Sequence, residues 1–195
     1  MNQNTIVIVG NGPSVLNREM GRQIDNFDTV VRINNFVTEG YEKYVGSRTD
    51  IWTRSGSDMI KERDTSSFDS VLWLVALPAW ERRRDKIDEI RRKIKRSVRN
   101  SGEEILVNKT EIKRITEKYF REGKEVRPTT GLYTVFYFLE RFPKLAIYGF
   151  DFFNNHKIKM WYFDNATKSK MNGHDIVLEK RIMEEFVSCG KVVVL

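Results

Sequence analysis

The run Ile6-Val7-Ile8-Val9 followed by Gly10-Asn11-Gly12-Pro13-Ser14 constrains this chain more than any other stretch. Four consecutive β-branched apolar residues call for burial on both sides, which is the environment of an interior strand. The glycines and proline end that strand in a tight turn, and Ser14 is a residue type that opens a helix. A strand-turn-helix points backbone N–H groups and the positive end of a helix dipole at one spot, which suits a phosphate. Asn11 adds an amide with two donors and an acceptor, able to orient a phosphate or a sugar hydroxyl. The turn lacks the G-x-G-x-x-G spacing of a dinucleotide site and the Gly-Lys-Ser/Thr of a P-loop. On this stretch alone, a nucleotide-binding turn and the ordinary first turn of an α/β sheet are equal readings.

The rest of the chain continues the alternation. Periodicity and breakers predict strands at 5–9, 28–33, 49–53, 70–76, 104–107, 144–149 and 191–194. They predict helices at 14–23, 80–99, 110–121, 131–142 and 174–188. Such alternation implies an α/β fold, a mostly parallel sheet with helices on both faces. With no linker or repeat in 195 residues, the expectation is a single domain over residues 1–195. Ligands of open α/β sheets bind beyond the C-terminal ends of strands. The Gly10 turn, the Asn34-Asn35 pair and Gly149-Phe150-Asp151 all follow such ends.

Beyond that first turn, Arg32-Ile33-Asn34, Gly40-Tyr41-Glu42, Val45-Gly46 and Arg48-Thr49 follow in order. Later come Arg127-Pro128-Thr129-Thr130-Gly131 and Tyr148-Gly149-Phe150-Asp151, then Trp161-Tyr162-Phe163-Asp164, then His174 with Glu179 five residues on. This ordered set resembles the four sialylmotifs of the sialyltransferase family. The Gly-Asn-Gly-Pro-Ser turn and Thr130-Gly131-Leu132-Tyr133 also resemble bacterial sialyltransferases of the Campylobacter type.

The resemblance implies a Rossmann-like fold, a GT-A-type variant, that transfers sialic acid from a CMP-sugar to a glycan or glycolipid acceptor. A related keto-sugar acid such as Kdo is an alternative donor. It implies His174 as the general base. It also implies Asn11 and Asn34 as contacts of the CMP phosphate and ribose or base, with Thr130, Gly131, Asp151 and Tyr162 completing the nucleotide and substrate site. The third motif of the family usually begins with a histidine that contacts the phosphate. Trp161 stands there, so Tyr162 through its hydroxyl, or His156, is a candidate replacement. Arg32 reads equally as an anion ligand or as the partner of a carboxylate at the core's edge. No Asp-x-Asp occurs, and no His/Cys cluster has metal-ligand spacing, so neither metal nor cofactor is expected.

Animal members carry a cystine joining their two main motifs. Ile6 and Phe142 occupy those positions here, and Cys189 is the one cysteine of the chain. No signal-peptide pattern opens the sequence. These features predict a cytoplasmic bacterial or viral relative. Residues 81–99 hold ten Lys and Arg against four acids, +6 of the formal +7. With Ile87, Ile90, Ile94 and Val98 at helical spacing, that segment reads as a basic amphipathic helix able to meet an anionic membrane, or as a solvated helix packed by one apolar edge. Nucleic acid is not an expected partner, because no aromatic stacking pattern accompanies the charge. The rival to an enzyme is a non-catalytic nucleotide- or anion-binding protein held at a membrane surface.

Overall fold

The computed structural model describes residues 5–57, 59–76, 87–92, 103–120, 127–151, 160–164 and 173–195. Seven strands form one sheet: β1 (Ile6–Val9), β2 (Thr29–Ile33), β3 (Ile51–Arg54), β4 (Ser70–Trp73), β5 (Glu103–Leu106), β6 (Leu145–Tyr148) and β7 (Val192–Val194). Their order is β5-β4-β3-β2-β1-β6-β7. Every neighbouring pair is parallel, with Val9 of β1 opposite Arg32 of β2 and Tyr148 of β6. The chain therefore winds outward from β1 to β5, then returns to build β6 and β7 on the other side. The reversal lies beside β1, and open α/β sheets bind their ligands outside the strand ends at such a point.

Strand alternation divides the core into two faces. Ile6, Ile8, Val31, Ile33 and Leu72 pack with helices Lys109–Thr116, Thr130–Leu139 and Ile176–Ser188. Val7, Val9 and Val30 point the other way, against Val15, Met20, Ile24 and Val45. Further along that second face, Trp52, Val71 and Trp73 meet Ile87 and Ile90 of the helical residues 87–92. Both faces are covered, so the central strands read as continuous apolar runs. Ile6 and Phe142 belong to one apolar cluster.

All seven expected strands are present, but the first expected helix is not continuous. In place of 14–23 there is a 3-10 helix, Pro13–Asn17, an extended Arg18, and a short α-helix, Gly21–Asp25. Two tertiary contacts break it. The Tyr148 hydroxyl donates to the Val15 carbonyl (2.9 Å) and lies 3.0 Å from that of Arg18, serving carbonyls that a continuing helix would have bonded internally. Gly21 sits where a Cβ would lie 1.8 Å from the Glu42 carbonyl oxygen, so the second helix is placed by its approach to the short helix Glu42–Val45. Of the basic segment, residues 87–92 are described. Ile87 and Ile90 are spent on the sheet, whereas Arg91 and Arg92 face solvent. Ile94 and Val98 lie outside the described residues. Among the described residues no helix is long and apolar enough to cross a membrane.

Candidate active site

One wall of the site is formed by the turns after β1 and β6, which are zipped together. Gly10 N donates to Tyr148 O (2.7 Å) and Gly12 N to Gly149 O (2.9 Å). A Cβ on Gly10 would stand 2.5 Å from the Gly149 oxygen, and one on Gly12 would stand 2.4 Å from the Asp151 carboxyl carbon. At Gly10 the neighbour is backbone, so only glycine permits the approach; at Gly12 it is the end of the Asp151 side chain. The Asp151 carboxylate accepts from Ser14 N (2.9 Å) and from the Ser14 hydroxyl. The N–H group expected to greet a phosphate at the helix start is therefore held by a carboxylate of the chain itself.

Asn11 sits on this wall in a fixed orientation. Its Nδ2 donates to Ile33 O (2.9 Å) at the end of β2, which leaves Oδ1 buried without a partner. A buried acceptor left open is a feature that a ligand donor can complete. Asn34 follows Ile33 in the left-handed region (φ 50°), which asparagine tolerates better than most residues. Its N–H donates to Thr53 O (2.8 Å), and its Oδ1 accepts from Ser55 N (3.0 Å). Asn34 thereby ties the end of β2 to the end of β3.

Tyr162 crosses over this wall. Its N–H donates to Asn11 O (3.1 Å), and its hydroxyl accepts from Val37 N (3.2 Å) and donates to Val37 O. The ring is buried and edge-on to Tyr41, and burial pushes the phenol upward from its ordinary value. The hydroxyl expected to stand in for a phosphate-binding histidine is engaged with backbone. On either side of it, Trp161 and Phe163 stack nearly parallel at 6.0 Å. His156 lies outside the described residues.

Arg32 is turned to backbone rather than to a carboxylate, with one guanidinium nitrogen, Nη1, buried without a partner. It is 1% exposed, and its guanidinium donates to the carbonyls of Val45 (2.8 Å), Gly46 (3.2 Å) and Arg48 (2.9 Å) and to the Thr49 hydroxyl (2.9 Å). Burial lowers its pKa to about 10, still charged at neutral pH. It holds the loop after Val45 against the sheet. Two further arginines continue this layer: Arg54 lies between Trp52 and Trp73, and Arg63 lies over Phe36 at 3.7 Å.

The opposite wall is built from the Thr130–Leu139 helix and the turn before Ile176–Ser188. Thr129 caps the first helix, its hydroxyl accepting from Leu132 N (3.3 Å). Thr130 opens the helix and is half-buried. Gly131 follows, where a Cβ would meet the Phe150 ring at 3.2 Å and Ile33 at 3.8 Å. The Phe150 ring also lies 3.1 Å from the Cβ position of Gly10. Phe150 therefore packs between Gly10 and Gly131, which with Asn11 gather at the ends of β1, β2 and β6.

His174 precedes Asp175, which caps Ile176–Ser188 by accepting from Leu178 N (2.9 Å). Its Nδ1 lies 2.8 Å from Arg127 O. A carbonyl oxygen only accepts, so Nδ1 carries the proton and Nε2 keeps its lone pair. Burial lowers the imidazole pKa below its ordinary value; the Arg127 carbonyl pulls it upward and the Arg127 guanidinium pushes it further down. The ring is thus neutral at physiological pH, with a basic nitrogen available. Glu179, one turn into the helix and 3% exposed, accepts from Thr129 N (2.8 Å) and pairs with the Thr129 hydroxyl (2.7 Å). Its Oε1 lies 4.0 Å from His174 Nδ1. Burial raises its carboxyl to about 7, against the Thr129 hydrogen bonds, which pull it down. The His-x-x-x-x-Glu spacing marked both residues; that the carboxylate would clamp a threonine 50 residues earlier was not visible in it. Among the described residues no group of three or more His, Cys, Asp or Glu side chains gathers as a metal site.

A model of glycosyltransferase family 29 (sialyltransferase) matches residues 2–191. The chain is 23% identical over 215 residues to the Homo sapiens type 2 lactosamine alpha-2,3-sialyltransferase, covering 96% of this chain and 63% of that protein. It is 26% identical over 208 residues to a Mus musculus CMP-N-acetylneuraminate-beta-galactosamide-alpha-2,3-sialyltransferase, covering 95% and 62%. A shorter stretch of 43 residues is 49% identical to the Homo sapiens CMP-N-acetylneuraminate-beta-1,4-galactoside alpha-2,3-sialyltransferase, 22% of this chain and 12% of that protein. The chain spans less than two thirds of the length of these relatives. In fold it is similar to a mammalian sialyltransferase solved with Gal-beta-1-3GalNAc-ortho-nitrophenol, with TM-score 0.75 at 18% identity, covering 100% of this chain and 70% of that one. It is also similar to the Campylobacter jejuni sialyltransferase solved with cytidine-5'-monophosphate, with TM-score 0.61 at 17% identity, covering 100% and 81%.

Proposed function

The chain belongs to glycosyltransferase family 29, the sialyltransferases, and from that membership we propose that it transfers sialic acid, or a related keto-sugar acid, from a CMP-sugar to a glycan hydroxyl. The observation that carries this reading is His174, half-buried and held through Nδ1 by the Arg127 carbonyl, so that the neutral ring keeps its lone pair on Nε2. The reaction runs as a displacement in a single GT-A-type domain. The acceptor hydroxyl attacks the anomeric carbon, and its proton passes to His174 Nε2. The bond from that carbon to the CMP phosphate oxygen breaks, and the electron pair leaves with the phosphate.

The donor lies between the two walls. Asn11 offers its free Oδ1 to a ligand hydroxyl or amine, because its Nδ2 is committed to Ile33. Thr130 and Gly131 bring the positive end of the Thr130–Leu139 helix to the anionic sugar and phosphate. No step is assigned to a divalent ion; hydrogen-bond donors and the helix end stabilise the leaving phosphate. Asp151 and Tyr162 serve as supports, holding the 3-10 helix and the Val37 loop in place. A thermal-shift panel of CMP, CDP, UDP, GDP and ADP, each with EDTA or magnesium, tests the donor assignment. A native-state ligand raises the melting temperature with concentration. CMP is expected to stabilise best and equally in both conditions. A larger shift with UDP or GDP, or a need for magnesium, refutes it.

A further inference from the structure

We propose that Glu179 is the positioning residue of His174, clamping the segment whose carbonyl orients the imidazole and placing a carboxylate behind the nitrogen opposite the reacting one. The inference rests on the reading of His174 as the base.

The geometry is a closed circuit. Thr129 N and its hydroxyl are both bonded to the Glu179 carboxyl. Two residues earlier, Arg127 O holds His174 Nδ1, and Arg127 N donates back to Gly173 O (2.9 Å). Glu179 N donates to Asp175 O (2.9 Å), which ties the carboxyl's own backbone to the turn that carries His174. Releasing Thr129 frees the 127–129 segment, and with it the acceptor that fixes the imidazole tautomer.

The electrostatics add a second effect. When Nε2 takes the acceptor's proton, the ring becomes a cation in a half-buried position, a state that a nearby anion favours. Glu179 Oε1, 4.0 Å from Nδ1, supplies that anion when ionised. Among the described residues the charged groups around the pair are few. Asp175 on the same helix disfavours ionisation of Glu179, and the Arg127 guanidinium disfavours protonation of His174. From the Thr129 side come only an N–H and a hydroxyl. The Glu179 carboxyl titrates near neutrality, so its charge is present at the upper end of the physiological range and fades below it.

The test is imidazole titration by long-range proton–nitrogen NMR on the intact protein, together with the rate profile. The chain has two histidines, so His174→Ala assigns the signals. Glu179→Gln preserves the clamp, since its amide can accept from Thr129 N and donate to the Thr129 hydroxyl. It should keep the Nδ1–H tautomer, leave the His174 midpoint nearly unchanged, since Glu179 is already protonated where the imidazole titrates, and cut kcat about tenfold or more above pH 7, where the wild-type carboxyl is ionised, at unchanged donor KM. Glu179→Ala should lose the fixed tautomer as well. A Glu179→Gln protein with wild-type kcat above pH 7 would reduce Glu179 to a structural support and overturn the proposal. So would a Glu179→Ala protein that keeps the single tautomer. Titration and tautomer are read without turnover. Failure of His174 as the base, shown by an active His174→Ala protein, is therefore distinguishable from failure of the clamp.

Discussion

Replacing Glu179 by Gln should stabilise the protein in alkaline buffer and leave it unchanged in acid. The carboxyl is raised from an ordinary 4.5 to about 7 in the folded chain. Between those values the folded state binds a proton that the unfolded state has released, so stability falls as pH rises through the window and is flat above it. At about 1.36 kcal/mol per pH unit, the full loss is about 3 kcal/mol. Glutamine is the permanent isostere of the protonated acid. It keeps both bonds to Thr129 and never carries the buried charge. Above about pH 7 the variant should therefore exceed wild type by about 3 kcal/mol, or about 6–12 °C in melting temperature for a chain of this size. The assay is urea denaturation of both proteins at pH 4.5, 6, 7 and 8; titrations away from the His174–Glu179 pair cancel in the difference. A gap that does not change with pH would refute the reasoning, as would a Glu179→Gln protein less stable than wild type at pH 8. The gain would come at the cost of the anion behind His174, a trade of activity for stability.

Three other substitutions probe the scaffold. Arg32→Met strips the donors from the Val45, Gly46 and Arg48 carbonyls and should cost about 3–5 kcal/mol by chemical denaturation; a cost under about 1 kcal/mol would contradict the bonding described. Asp151→Asn weakens the two bonds to Ser14 and should cost about 1 kcal/mol with CMP affinity within twofold; a tenfold loss by calorimetry would make Asp151 a ligand contact. Gly10→Ala drives a methyl to 2.5 Å from the Gly149 oxygen. It should cost about 1–3 kcal/mol and weaken CMP at least tenfold, and unchanged affinity would remove the β1 turn from the donor site.

The strands were readable in the sequence because a parallel sheet covered on both faces needs unbroken apolar runs, and Ile6–Val9 and Leu145–Tyr148 supply them. Helix boundaries were readable where a cap stood, at Thr129 and Asp175. They were not readable between Val15 and Arg18, whose carbonyls meet the Tyr148 hydroxyl from 130 or more residues away. The site divides in the same manner. Ordered motifs mark Asn11, Asn34, Gly131 and His174. What each polar atom bonds is decided by backbone from distant segments. The Tyr162 hydroxyl is spent on Val37 and the Arg32 guanidinium on three carbonyls, and neither partner leaves a residue-type signature. Glu179 was visible as a carboxylate near His174; its attachment to Thr129 exists only once the two helices stand side by side.

The assignment of His174 as the base of sialyl transfer is decided by one comparison. Transfer from CMP-sialic acid to a galactose-terminated acceptor is followed for wild type and His174→Ala, with CMP affinity measured on the same samples. The wild-type protein should transfer sugar. The variant should bind CMP within a few-fold of wild type and transfer roughly 10²–10⁴ times more slowly. Near wild-type transfer by His174→Ala would contradict the account.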